Sequence, residues 1–534
     1  MSEPAKAASV SSSPWAPLRH GFYRTLWAAS VASNIGSWMH EVGASWLMTS
    51  LVRSPAWVAA VQAATSLPLF ALAMPSGVWA DLFDRRRLLL LAQWWMLLSA
   101  LALGLLTVTH HVTPWILLAL TASLGLGAAL SGPAWQAALP EVVPMSDLPA
   151  AIALNSLGFN IARALGPALG GVAISFGGPG LAFLANAVSF LAVVFVLLRW
   201  RRVREPSALP TENFWSALRA GVRYVSFSPR MRTVLARSVV FVVCASALWA
   251  LLPVVARFRL DRGPSGFGAL VTAFGCGAVL GAANLQRARR LGMDRLAVLC
   301  TVVFAGALLT LAWSSNFYAI AVALFLAGGS WLTVLSSFNV SAQTALPGWV
   351  RARGLGVYLL GFYAAMAAGS SLWGALANRF HVHVALTAAA VALVAGSAIV
   401  PFFRLRDIRG FDLSPSRHWP APLLPTEPEA EQGPVLVTVE YLIDPARAGE
   451  FRRAMRVLRR SRRRGGAIRW SLWVDAKDGA HHIESFVEES WLGHLRHRER
   501  VTALDRDIEG RVRAFHLGPE PPAMQHWLAV PEGD

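Results

Sequence analysis

The 534-residue sequence predicts an all-α polytopic membrane protein, with twelve transmembrane helices in two six-helix halves, followed by a small α+β domain. Three observations predict it. Hydrophobic residues make up 55% of the chain and charged residues only 15%, against roughly 25% charged in a soluble domain. Apolar runs recur at lengths near the ~20 residues that a helix needs to cross a bilayer. Beyond residue 433 the composition turns polar and nearly charge-balanced.

The first six runs are expected at 22–50, 55–80, 87–109, 114–139, 148–175 and 180–199. A polar, Arg-rich stretch follows from Trp200 to Arg232. Six more runs are expected at 233–257, 266–286, 295–314, 317–345, 354–378 and 382–403. Turn or charge signals fill the breaks, such as Arg53-Ser54-Pro55, Asp84 to Arg87, and Gly177-Gly178-Pro179-Gly180. The resulting parts are a tail at 1–21, a six-helix half at 22–199, a loop at 200–232, a second half at 233–409, a linker at 410–433 and a soluble domain at 434–534. The linker is rich in Pro and acid.

The net charge of +18 taken alone suggests a nucleic-acid binder, but its distribution excludes that reading. Arg clusters in short segments between apolar runs, among them Arg85–Arg87, Arg199–Arg204, Arg287–Arg290 and Arg351–Arg353. These fall on one side if the N-terminus is cytoplasmic, so both termini are expected in the cytoplasm. The N-terminal residues hold no apolar core of a cleaved signal peptide. Cys244, Cys276 and Cys300 lie in apolar runs without metal-ligand spacing, and are expected to be buried and inert. No metal or cofactor motif is present, and no Walker A sequence that would support ATP-driven transport.

The halves echo each other. Gln136-Ala-Ala-Leu139-Pro140 matches Gln343-Thr-Ala-Leu346-Pro347. Leu157-Gly158-Phe159 matches Leu360-Gly361-Phe362, and Gly166 and Gly171 match Gly369 and Gly374 at the same offset. Three matches in order suit a six-plus-six duplication.

In the tail, Pro434–Ile443 alternates as a strand does, Asp444–Arg464 has helical periodicity, and Ile468–Val474 and His482–Val487 are strands joined by a turn. Trp491–Phe515 is expected as one helix and Met524–Val530 as a last strand. The order βαββαβ predicts a ferredoxin-like sandwich.

The loop after the second run reads Gly77-Val-Trp-Ala-Asp81-Leu-Phe-Asp84-Arg85-Arg86-Arg87. It resembles the signature of the major facilitator superfamily. The resemblance implies that Asp81 forms a charge latch at the inner gate, with Arg85 and Arg86 as partners. Gly166-Pro167-Ala-Leu-Gly170-Gly171 in the fifth run is similar to that family's exporter-associated element, a segment that bends and packs closely. Gly125-Leu-Gly127 fits the glycines of a third element, but Thr121 stands where relatives carry the Arg linked to proton transfer.

Ionisable groups inside spans are costly and point to function. Glu41 and His40 lie in the first run and Arg163 in the fifth, at depths that let Glu41 and Arg163 pair. Glu41 is the candidate proton-titrating group and Arg163 its tuner, against the alternative of a static ion pair. Asn34 and Asn160 are candidate cavity residues, and Trp38, Trp46, Trp331 and Tyr358 candidate cavity aromatics.

The tail narrows the resemblance. Ser490-Trp491-Leu-Gly-His494-Leu495-Arg496-His497-Arg-Glu-Arg500, with Arg462–Trp470 and Glu484-Ser-Phe486, resembles the C-terminal module of the transmembrane secretion effectors. That subgroup includes relatives of enterobactin exporters and macrolide efflux pumps. The resemblance implies a bacterial inner-membrane secondary transporter that exports a small amphipathic molecule, siderophore or drug, by proton antiport. The module also looks like dimeric α/β-barrel monooxygenase domains, so the tail could pair two copies. Trp491, His494, His497 and Arg500 recur at helical spacing as a polar face. The alternative is a membrane-anchored enzyme or sensor whose tail carries the activity. Deleting residues 430–534 separates the two: efflux survives in a transporter.

Overall fold

The computed structural model describes residues 15–73, 75–144, 146–200, 214–400, 403–404, 412–416, 418–419, 429 and 432–530. Residues 1–14 of the expected N-terminal tail, the start of the loop between the halves and most of the linker lie outside the described residues.

The helices follow the apolar runs. They are α1 (Gly21–Leu51), α2 (Pro55–Leu72), α3 (Pro75–Leu82), α4 (Arg85–Val108), α5 (Pro114–Val142) and α6 (Leu148–Leu198). After α7 (Phe214–Phe227) come α8 (Pro229–Val254), α9 (Pro264–Ala288), α10 (Met293–Trp313), α11 (Phe317–Thr344), α12 (Arg351–Phe380) and α13 (Val382–Gly396). Among the described residues, nine helices are long and apolar enough to cross a membrane, and α13 is shorter. α6 has two arms, because Gly178 adopts φ 72° and breaks the run. Glycine occupies this left-handed region at no steric cost, and the Gly-Gly-Pro-Gly signal is realised here as a kink.

Local chemistry sets the other ends. Pro55 and Pro114 open their helices, where a missing N–H is harmless. The Asp84 carboxylate caps α4 by accepting from Arg87 N at 2.9 Å. The second expected run is two helices, α2 and α3, rather than one. The stretch expected as a loop before Arg232 contains α7, an amphipathic helix that buries Ala220, Tyr224 and Val225. Of the cysteines, Cys244 and Cys300 are buried, but Cys276 is exposed on its helix; an apolar run in a membrane has an outward face as well as a packed one.

The chain forms two compact units. The first comprises Met1–Pro210, Arg237–Phe338 and Leu359–Arg404. In it α6 packs on α1, α4 and α9, α5 packs on α2 and α4, and α10 packs on α13. The two halves meet at the end of the bundle opposite the start of α1, here called the distal end. Arg257 donates to Thr49 Oγ1 at 3.0 Å and to Ser50, and Ser54 donates to Asn378 Oδ1 at 2.8 Å.

The second unit comprises Thr211–Ala236, Asn339–Tyr358 and Leu405–Asp534. Its sheet holds β1 (Val435–Leu442), β2 (Arg469–Val474), β3 (His481–Glu488) and β4 (Met524–Leu528) in the order β2-β3-β1-β4, all antiparallel. α14 (Ala448–Gly465), α15 (Trp491–Arg500) and α16 (Ala503–Arg513) accompany it. Val435, Val437, Val439, Phe451, Met455, Leu458 and Phe486 form its core. The single helix expected at 491–515 is two helices. Val501 is extended, and Thr502 opens α16 with a capping box to Asp505.

Candidate functional site: a carboxylate-lined cavity between the halves

α1 delivers Glu41, Trp38, Val42 and Ser45 to a small buried cavity. α2 adds Gln62, α8 adds Trp249 and Leu252, and α9 adds Phe267 and Val271. The cavity of about 20 Å³ has room for water, and both halves line it. Glu41 is half-buried.

Arg163 on α6 stands behind Trp38. Its guanidinium lies 5.7 Å from the Trp38 ring centroid and 5.0 Å from that of Phe159. Arg163 Nε and Nη1 are buried and find no hydrogen-bond partner among the described residues. Trp38 carries the cation on its ring and lines the cavity that holds the carboxylate.

Trp249 Nε1 is a further buried donor without a partner. Buried polar groups are nearly always satisfied, so unmet donors beside a cavity mark a place for water or ligand. The Trp249 ring lies 6.4 Å from Trp38 and 4.9 Å from Phe274. Trp331 continues the cluster to Phe241, Phe304 and Phe362. The expected aromatic Trp331 therefore sits behind the cavity wall rather than on it, and Trp46 stacks on Phe267.

Three expected polar candidates do not join. His40 is buried against Phe183, with ring centroids 4.6 Å apart, on the face of α1 that meets α6. One residue along a helix turns a side chain by 100°, which separates His40 from Glu41. Asn160 donates to Ser156 O at 2.8 Å, one turn back on its own helix. Asn34 is half-buried on α1 and does not line this cavity.

The fifth-span glycines act by packing. A Cβ on Gly170 would come within 2.9 Å of Met39 Cα, and one on Gly166 within 3.0 Å of Ile35 O, so both let α6 approach α1. A Cβ on Gly171 would come within 2.8 Å of Pro264 O. The backbones of Pro167 and Gly268, and of Arg163 and Gly275, are equally close. The element thus seats α6 on α1 and on α9 of the other half, down to the level of Arg163.

The segment expected as a loop is helical at Gly77 and Asp81, which both lie in α3, and the Asp81 side chain lies outside the described ones. A Cβ on Gly77 would meet nothing within 4 Å. Arg85 pairs with Glu141 Oε1 at 2.7 Å and donates to Ala137 O at 2.9 Å. Arg86 donates to Leu197 O and Leu198 O at 2.9 and 2.7 Å, capping the end of α6. Arg87 is exposed. These cations tie the ends of α4, α5 and α6 together.

In the tail, Trp491, His494 and His497 are buried rather than an exposed polar face. His494 Nδ1 lies 2.8 Å from Glu488 Oε2, and His497 Nδ1 bonds the other oxygen. Burial would raise the Glu488 carboxyl, but the two imidazoles hold it well below the usual range. Arg500 instead stacks over Trp349, 4.4 Å from its centroid. Beside them Arg462, 2% exposed, lies between Glu484 Oε1 at 3.1 Å and Glu509 Oε1 at 2.6 Å. Sequence reasoning also missed Arg237, a buried cation on α8 paired with Asp294. Its place inside an apolar run was the available signal.

Known proteins agree with this architecture. The profile of the transmembrane secretion effector family matches residues 12–532. The staphyloferrin A transporter of Staphylococcus aureus is 24% identical over 279 residues, covering 52% of this chain and 70% of that one. The multidrug efflux pump Tap of Mycolicibacterium fortuitum is 25% identical over 394 residues, 71% of this chain and 95% of that one. The enterobactin exporter EntS of Salmonella choleraesuis is 27% identical over 334 residues, 61% and 77% of the two chains. In fold, a bacterial homolog of the human lysosomal transporter Spinster, inward-facing and occupied, aligns with a TM-score of 0.56 at 16% identity over 72% of this chain and 97% of that one. The nucleoside transporter NupG aligns with a TM-score of 0.57 at 14% identity over 72% and 98%. With its profile spanning nearly the whole length, the chain belongs to the transmembrane secretion effector family: it is a multi-pass membrane transporter that exports small molecules, not an enzyme.

Proposed function

We propose that this transporter drives small amphipathic molecules, of the siderophore, antibiotic or drug kind, out of the bacterial cytoplasm by proton antiport, with Glu41 as the titrating carboxyl. The observation that carries the reading is the placement of Glu41 in a cavity lined from both halves, whose Trp38 also faces the Arg163 guanidinium with its unmet Nε and Nη1 donors. A carboxylate at the meeting point of two halves exchanges its proton and a cationic or hydrogen-bonding substrate as access alternates. Aromatic walls at Trp38, Trp249 and Phe267 suit an amphipathic cargo. The names of the relatives support the siderophore and drug classes.

The rest of the architecture follows the same reading. α1 to α6 and α8 to α13 supply twelve spans in two six-helix halves, counting the two arms of α6 separately and α2 with α3 as one. Closure at the distal end by Arg257 with Thr49, and Ser54 with Asn378, supports an inward-facing state. The Arg-rich loops support cytoplasmic termini. The sequence from Gly77 to Arg87 supports Asp81 as the gate latch. The order β2-β3-β1-β4 with helices between supports a ferredoxin-like tail, and the Trp473 and Trp527 side chains exposed on its strands offer an apolar face for pairing with a second copy.

The test is efflux of a dye and siderophore panel from inverted vesicles, with and without a proton uncoupler. The uncoupler abolishes transport, and Glu41→Gln lowers it at least about tenfold and flattens its pH profile. Normal transport with an unchanged profile in Glu41→Gln removes Glu41 from the mechanism.

A further inference from the structure

The second unit holds more than the tail domain. α7 and the turn at 345–350 pack into it. Tyr224 of α7 is 3% exposed. Its ring meets Trp349 edge-on with centroids 5.8 Å apart, and its hydroxyl donates to Ala345 O at 3.4 Å. The seat is close-packed elsewhere as well, since a Cβ on Gly221 would come within 2.9 Å of the Arg353 Cβ.

Three arginines of the tail domain each cover one aromatic ring of this seat. The Arg464 guanidinium lies 5.4 Å from the Tyr224 centroid, Arg463 lies 5.0 Å from Phe227, and Arg500 lies 4.4 Å from Trp349. Arg223 of α7 faces Glu489 of the domain at 3.7 Å. The exposed ion pair contributes little, whereas stacking of guanidinium on partly desolvated rings is directional and stronger. The domain holds its side of the contact rigidly. Asp505, bonded to Ser461 and Thr502, also pairs with Arg464. Gly465 leaves room for His497 against the end of α14.

What the domain grips matters for motion. Only Ser228 separates α7 from α8, and residues 345–350 alone join α11 to α12. Holding α7 and that turn therefore holds the ends of three membrane helices, α8, α11 and α12. The chain that connects the halves leads directly into α7. Rocking of one half against the other must carry these ends along.

We propose that the C-terminal domain is a conformational brake: Arg463, Arg464 and Arg500 clamp α7 and the 345–350 turn in the arrangement that accompanies closure at the distal end. The proposal rests on the alternating-access reading. A contact made in one state and broken in the other favours the first by its own differential strength. Weakening the clamp shifts the population toward the state open at the distal end and speeds interconversion.

The test uses the full chain in lipid nanodiscs, with Cys244, Cys276 and Cys300 replaced by Ala and spin labels on Arg53→Cys and Arg379→Cys at the distal end. The clamp is weakened from the membrane side by Phe227→Ala with Trp349→Ala, and independently from the domain side by Arg500→Gln. Hydrogen exchange at 219–227 and 345–353 reads the clamp itself, and label distances read the state. Exchange is expected to accelerate at least about tenfold in both variants. A second, longer distance is expected to rise from a minor state, under about 10%, to a major fraction. Unchanged exchange overturns the clamp. Faster exchange with an unchanged distance distribution overturns the brake. Neither readout needs a transported substrate, so failure of efflux in every assay would sink the transport reading without deciding this one.

Discussion

Gly171 on α6 and Gly268 on α9 meet backbone to backbone, so that a Cβ on Gly171 would lie 3.2 Å from the Gly268 Cα and 3.1 Å from the Ser265 Cα. The contact joins the two halves at the level of the cavity, because Gly268 lies between Phe267 and Val271 of its lining. A side chain at either glycine wedges the helices apart. Overpacking a close contact costs about 1–3 kcal/mol. Gly171→Leu is expected to reach the membrane normally, to lose efflux at least about tenfold, and to lengthen the distance between labels at the distal end. A variant that transports normally would mean that closure at this seam is not part of the cycle.

Trp38 links the cavity to Arg163 through one indole ring. Losing that ring removes a cation–π contact worth up to about 2 kcal/mol when desolvated, close to a thirtyfold effect. Trp38→Ala is expected to weaken efflux across the substrate panel by roughly tenfold to thirtyfold. Trp38→Phe, which keeps an aromatic face, is expected to retain most of it. Equal losses in the two variants would assign Trp38 to shape alone.

Much of this was legible in the sequence, and the gaps have physical causes. Span positions follow from apolar length, and the α6 kink from Gly178. The partners of Arg85 and Arg86 were not legible, because Glu141 and Leu197 lie far along the chain and no periodicity encodes such pairs. His494 and His497 recur as an exposed polar face would, yet one carboxylate, Glu488, satisfies both and lets them bury. The Glu41 charge within a span was legible because such charges are rare; that Trp38 both lines its cavity and faces Arg163 was not. α7 hid in a basic stretch because its partners, Trp349 and the tail, are distant in sequence.

Arg462 between Glu484 and Glu509 is a fully buried triad. Burial pulls the guanidinium down, but the two carboxylates overcome it and hold Arg462 above its usual value. Removing the cation alone strands two buried anions, a loss of about 3–5 kcal/mol. Arg462→Met in the full chain is expected to unfold the tail at lower temperature, read by tryptophan fluorescence. Adding Glu484→Gln and Glu509→Gln is expected to recover most of the loss, because the stranded charges are then gone. No recovery would show that Arg462 stabilises by packing rather than by charge.

Acid should release the tail in a defined window. Burial alone would raise Glu509, but Arg462, His418 and the Trp419 indole hold it at about 2, against 4.5 for an unperturbed carboxyl. Glu488 is held low in the same way by His497 and His494. A carboxyl lowered on folding contributes stability that is complete above the unfolded value and fades as pH falls toward the folded one. For Glu509 that window runs from about 4.5 down to about 2, and the contribution is about 3 kcal/mol at 1.36 kcal/mol per tenfold. The tail is therefore expected to lose stability gently from about pH 6.5, where His526, lowered by burial to about 4, resists the proton that the unfolded chain takes up, and to destabilise steeply below about 4.5. Glu509→Gln is expected to start less stable at neutral pH and to lose less across the window. Parallel acid curves for the two proteins would show that Glu509 is not the group whose protonation loosens the domain.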